Sequence, residues 1–143
     1  FGLSGVTGTL LGGWATDRFG ALATLRAMLI VFLLTMLLVP LTRGHYGAMV
    51  LALLFWGVAG FGMMAPQQAR LVSIAAARAP VLLSLNSSMM YFGMALGAAL
   101  GGAAVVVSGF DRLAWVGAPL ALGSLALLWM SPPPPHATPQ AVA

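Results

Sequence analysis

Long apolar blocks follow one another along this chain of 143 residues, parted by short breaks rich in Gly, Pro or Arg. The complete blocks run for roughly 18 to 25 residues without the alternation of period two that a barrel strand would show. They therefore predict helices long enough to cross a bilayer. One partial and four complete spans are expected: a partial one ending near Gly13, then Ala21 to Leu41, Tyr46 to Ala65, Leu83 to Val107 and Leu113 to Met130. The first block offers only about a dozen apolar residues before charge intervenes, against the roughly 20 that a spanning helix needs, so the chain is expected to begin inside a helix. No charged segment and small-residue cleavage site accompany a short apolar core, so a signal peptide is not expected.

The breaks differ in character. Gly13-Trp14-Ala15-Thr16-Asp17-Arg18-Phe19-Gly20 sets an acid beside a base in a short turn framed by glycines. Thr42-Arg43-Gly44-His45, after Pro40, and Ser108-Gly109-Phe110-Asp111-Arg112 read as tight hairpins between antiparallel helices. The longer break runs from Pro66 through Gln67, Gln68, Arg70 and Arg78 to Pro80, with enough Ala and Leu for a short surface helix. Pro132 to Pro135 open a tail that is extended or disordered in water. Residues 1–131 are thus expected to form a transmembrane helical bundle, and 132–143 a Pro-rich cytoplasmic tail.

Composition supports the membrane reading and removes other classes. With 61% hydrophobic and 6% charged residues and a mean hydropathy of +1.02, the chain lacks the polar coat of a soluble protein, in which charged residues are about 25%. Its 6 basic residues are all arginines, spread singly, which is not the basic stripe of a nucleic-acid binder. The absence of cysteine removes thiolate chemistry and sulfur-ligated metals, and His45 and His136 have no acid or second imidazole at ligand spacing. No metal and no cofactor is expected. No span carries a nucleophile–base pair, so an enzyme is not expected either. Asp17 and Asp111 both fall in turns, leaving no carboxylate within a span to bind and release an ion. Arg18, Arg26, Arg70 and Arg78 less Asp17 give one side +3, and Arg43 and Arg112 less Asp111 give the other +1. The positive-inside tendency then puts the Asp17 turn, the long break and the tail on the cytoplasmic side of a multi-pass protein of the plasma (inner) membrane. Trp115 and Trp129, near opposite ends of the last span, suit interfacial anchoring, and Arg26, one turn into its helix, suits a snorkelling anchor.

Small residues repeat along two helices, and a mixed stripe marks a third. Gly5, Gly8 and Gly12 on the first span, and Gly93, Gly97 and Gly101 on the fourth, form faces on which helices can pack closely in lipid. Trp56, Gly60, Met63 and Gln67 share a stripe on the third. The second and fifth spans are almost purely aliphatic, whereas the third and fourth carry Gly, Met, Gln, Asn, Ser and Tyr. This split predicts peripheral lipid-facing helices around central ones that enclose a cavity. Candidate lining residues are Trp56, Met63, Gln67, Asn86, Ser87, Met90 and Tyr91, with methionines as adaptable apolar surface.

The string Gly13-x-x-x-Asp17-Arg18-x-Gly20 resembles the loop motif of the major facilitator superfamily. The segments Phe61-Gly62-Met63-Met64-Ala65-Pro66-Gln67 and Leu85-Asn86-Ser87-Ser88 through Gly101-Gly102 are similar to the end of the tenth helix and to the eleventh helix of its drug–proton antiporter and arabinose-efflux-like branch. In the family the loop usually continues with basic residues, where Ala21 and Leu22 stand here. The resemblance implies an all-α integral membrane fold, the C-terminal half of a twelve-helix bundle from a partial eighth helix to the twelfth. It further implies alternating-access export of a drug-like compound or sugar, coupled to protons through a carboxylate in the missing N-terminal half, with Gly13, Asp17, Arg18 and Gly20 as a gating loop. The partners implied are the lipid bilayer, a small-molecule substrate, protons and that N-terminal half. A non-transporting membrane subunit, docking a partner through its Gly-rich faces, is the alternative.

Overall fold

The computed structural model describes residues 2–42, 44–109 and 113–131. Phe1, Arg43, the Phe110-Asp111-Arg112 turn and the tail at 132–143 lie outside the described residues, and with them the expectations drawn there.

All the described elements are helical: α1 (Gly2–Phe19), α2 (Ala21–Leu38), α3 (Tyr46–Gly62), α4 (Met64–Ile74), α5 (Ala79–Ser108) and α6 (Leu113–Met130). Short 3-10 turns, Val39–Thr42 and Ala76–Arg78, follow α2 and precede α5. Three stretches are long and apolar enough to cross a membrane, Ala21–Thr42, Tyr46–Ile74 and Ala76–Val107. At 18 residues, α6 is about 27 Å long, close to the hydrocarbon thickness.

Three expected boundaries are corrected. The first span does not stop at Gly13, because α1 continues through Asp17 and Arg18 to Phe19. The turn narrows to Gly20, whose φ of 86° is open to glycine and strained for other residues. Pro66 to Ile74 is no surface helix, since α4 carries the third span onward after a single-residue break at Met63. Pro66 accounts for that break: it has no N–H for the carbonyl of Gly62, four residues back, and its ring crowds that carbonyl. Helical pairing resumes with the Gln67 N–H on the Met63 carbonyl, at 3.2 Å. The fourth span then begins at Ala79 rather than Leu83, with Pro80 in the first turn of α5, where a missing N–H costs nothing.

The centre of the bundle is α2, which packs on α1, α3, α4 and α6. Leu25 and Leu29 meet Leu128, and Leu33 meets Ala118 and Ala121, forming two apolar clusters along the α2–α6 seam. Of the two aliphatic helices expected at the lipid-facing periphery, α2 thus supplies the packed middle, while α6 packs on α2 and α5. The physical reason is that lipid offers aliphatic side chains no better environment than a neighbouring helix does, so apolarity alone does not place a helix outside. By contrast α5 packs chiefly on α4 and α6, and none of its described residues is buried.

Candidate functional site

A cavity of about 550 Å³ opens where α3 gives way to α4. Four faces converge on it: Leu25 and Leu29 from α2; Gly60, Met63, Met64, Gln67, Gln68 and Arg70 from the broken helix; Asn86, Ser87 and Met90 from α5; and Ser124, Leu127, Leu128 and Ser131 at the end of α6. Each set follows helical spacing, for example Ser124, Leu127, Leu128 and Ser131 at i, i+3, i+4 and i+7. Of the residues expected to line a cavity, Met63, Gln67, Asn86, Ser87 and Met90 meet here. Trp56 stacks on Phe32 instead, with ring centroids 5.3 Å apart, and Tyr91 is 65% exposed, outside the lining. Sequence reasoning missed the α2 and α6 walls because it weighed polarity by helix. The Ser124–Ser131 stripe was the signal that could have found one of them.

The hydroxyls of Ser87 and Ser124 donate to their own helix, to the carbonyls of Leu83 at 3.0 Å and Leu120 at 2.9 Å. Ser131 does the same to Leu127 at 2.9 Å. Their oxygens remain as acceptors, while the amides of Gln67, Gln68 and Asn86 bring both donors and acceptors. Methionine and leucine supply the apolar remainder. Arg70 is the one charged side chain among the described lining residues. Such a wall can hydrogen-bond a polar, uncharged portion of a small molecule and pack against its apolar portion.

The Gly13–Gly20 motif lies at the same end of the bundle, where the end of α4 and the start of α2 line one smaller pocket with Phe19 and Gly20. Asp17 is exposed in the last turn of α1, not at a helix start, so the local helix dipole disfavours it and favours its neighbour Arg18. Arg18 lies 6.0 Å from the centroid of the Phe19 ring. The start of α2 has no side-chain cap, and among the described residues neither Asp17 nor Arg18 forms an ion pair. Gly13 is half-buried, with nothing near the position a Cβ would take. Arg26 is fastened at this end: its Nη2 donates to the Leu128 carbonyl at 3.3 Å, in the last turn of α6, and its guanidinium lies 4.8 Å from the Trp129 ring centroid.

The two glycine series are placed differently. On α1, Ser4, Gly8 and Gly12 are buried against α3, so that a Cβ on Gly8 would lie 2.5 Å from the Val58 carbonyl, and one on Gly12 would collide with that of Gly62. Gly5 only brushes the Phe61 ring at 3.7 Å. On α5, Gly93 and Gly97 face open space, and Gly101 meets a Leu113 methyl at 3.8 Å.

Comparison with known proteins now bears on this architecture. The Major Facilitator Superfamily profile matches residues 1–143. The chain is 35% identical over 118 residues to the uncharacterized MFS-type transporter YbcL of Bacillus subtilis (strain 168), covering 82% of this chain and 30% of that protein. It is 34% identical over 126 residues to the inner membrane transport protein YdhP of Escherichia coli (strain K12), covering 87% of this chain and 32% of that one. The chain therefore spans about a third of the length of the curated relatives it matches. No solved structure matches. Packed helices of spanning length, the glycine-framed Asp-Arg motif and the matched family profile agree: the chain belongs to the major facilitator superfamily.

Proposed function

We propose that this chain is the C-terminal half of a twelve-helix secondary transporter, its eighth to twelfth helices, and that the complete protein exports a small organic molecule by alternating access. Residues 1–131 are its bundle, with the arginine-rich end and the tail at 132–143 in the cytoplasm of a cell whose inner membrane holds the protein. The observation that carries this reading is the cavity at the α3–α4 break, where amides, hydroxyls and methionines from four faces meet in a chain of this superfamily. Interrupted helices at a binding site are the recurring device of secondary transporters. The lining favours a molecule with a polar, uncharged part and an apolar part, either a drug-like compound or a sugar.

Asp17, the one acid of the described spans, stands exposed in the last turn of α1 rather than within an apolar stretch, so on this reading the proton-coupling acid belongs to the N-terminal half. The Gly-rich face of α5, open in this chain, faces that N-terminal half. A docking subunit without transport gains no support from membership of a transporter family.

The test is transport by the full-length protein in a host stripped of its main exporters, followed with ethidium as a drug-like probe and radiolabelled arabinose as a sugar probe. Export of one of them that collapses with the proton gradient, and whose half-saturation rises several-fold in Asn86→Ala and Gln67→Ala, is the expected outcome. Equal accumulation of both probes with and without the protein, at matched membrane levels, would remove the exporter reading for these two classes.

A further inference from the structure

At the arginine-rich end a smaller, open pocket of about 290 Å³ is bordered by Phe19, Gly20 and the first turn of α2, with Arg26 and Arg70 on its walls. The two guanidinium groups come from different helices, α2 and α4, and on each the Nε is buried without a hydrogen-bond partner. Both side chains are half-buried, and a buried N–H left unpaired costs free energy that an acceptor in the pocket would recover. Arg26 is held from behind by the Leu128 carbonyl and the Trp129 ring, contacts that position it without neutralising it. Asp17, the one acid among the described residues, is exposed and not part of the pocket wall. Two arginine side chains therefore border one small volume with no counter-charge from this chain among the described residues, an arrangement that an anion between them would relieve.

The third wall has the same sense. Because the Thr24 N–H pairs with the Gly20 carbonyl at 3.1 Å, the N–H groups of Ala21, Leu22 and Ala23 precede the first bond of α2 and have no acceptor within it. We infer that this pocket holds a phosphate-class oxyanion between Arg26 and Arg70. Several oxygens on one centre suit two guanidinium forks and a helix turn together. The pocket sits among helix ends, the depth of lipid headgroups, so the phosphate comes either from an anionic lipid or from solution. Arg70 also borders the larger cavity, but occupancy of this pocket is read by binding and not by transport, so the two readings fail separately.

The experiment uses the full-length protein, its Arg26→Gln/Arg70→Gln double variant, and Arg78→Gln, which changes an exposed arginine outside the pocket. Native mass spectrometry compares retention of phosphatidylglycerol and phosphatidylcholine. Thermal unfolding in phosphatidylcholine nanodiscs is followed against inorganic phosphate. If a lipid supplies the phosphate, phosphatidylglycerol is retained about tenfold less by the double variant and equally by Arg78→Gln. If the source is free anion, inorganic phosphate raises the melting temperature of the unaltered protein and not of the double variant. Equal behaviour of unaltered and double-variant protein with both ligands overturns the site, as does an equal loss in Arg78→Gln, which would mark diffuse surface charge. Should the double variant elute as aggregate, Arg70→Gln alone and the charge-keeping Arg26→Lys/Arg70→Lys serve in its place, the latter expected to retain most of the binding.

Discussion

At Gly12 one hydrogen in place of a methyl group decides whether α1 and α3 can meet. The Gly62 carbonyl, deprived of its donor by Pro66, rests where the Cβ of any other residue would be. Gly12→Ala is therefore expected to lower the stability of the full-length protein by about 1–3 kcal/mol, the usual cost of overpacking. Gly13→Ala, whose new methyl meets nothing, is expected to be neutral or slightly stabilising. Thermal unfolding of the two variants side by side checks this. Asp17 has no partner among the described residues, so on our reading its contact belongs to one state of the whole transporter. Full-length Asp17→Asn is expected to insert normally and lose most of its transport, whereas unchanged export would remove Asp17 from the mechanism. At this scale the sequence was partly legible. The glycine spacing pointed to the α1 face, yet only the structure shows that Ser4, at 2% exposure, is a deeper member of that face than Gly5. A period of four cannot tell two adjacent stripes apart until the partner helix is present.

Among the elements, the broken helix of α3 and α4 contributes most to the cavity on which our functional reading rests. Met63, Met64 and Gln67 all stand at its break and all line the cavity. Pro66→Ala returns a donor to the Gly62 carbonyl and removes the ring, so helical pairing should run on through Met63. A straight helix from Tyr46 to Ile74 is about 42 Å long. Spin labels at those two exposed positions are expected to approach that separation in the full-length variant, with export falling several-fold; an unaltered distance would show that packing, not Pro66, sets the geometry of the break. Helix existence was easy to read, because uninterrupted apolar runs leave few alternatives in lipid. Ends were harder. Charge at Asp17 and Arg18 suggested a turn that the backbone confines to Gly20, and Pro66 suggested a boundary where the helix only breaks and resumes.

Over the whole molecule, the distribution of burial sets the expectation. With α2 at the centre and α5 unburied at the edge, the bundle is closed on one side and open on the other. On our reading the N-terminal half covers α5, so full-length Gly97→Leu is expected to be destabilised by about 1–3 kcal/mol through overpacking, measured by thermal unfolding in detergent. An unshifted midpoint would leave that face to lipid. The arrangement of helices around α2 was not legible, since aliphatic segments look alike whether they meet lipid or one another. The cavity was legible in half, through the polar residues of α3, α4 and α5.

The contact between Gly12 and the Gly62 carbonyl has a mechanical corollary. The joint in the long helix and the seam with α1 share one oxygen atom, so α4 cannot swing about Met63 by altering the Gly62 peptide without also pushing on α1. Because α1 ends in the Asp-Arg motif, a change of shape at the cavity would be delivered to that motif along a stiff rod about 10 Å long, the rise from Gly12 to Phe19.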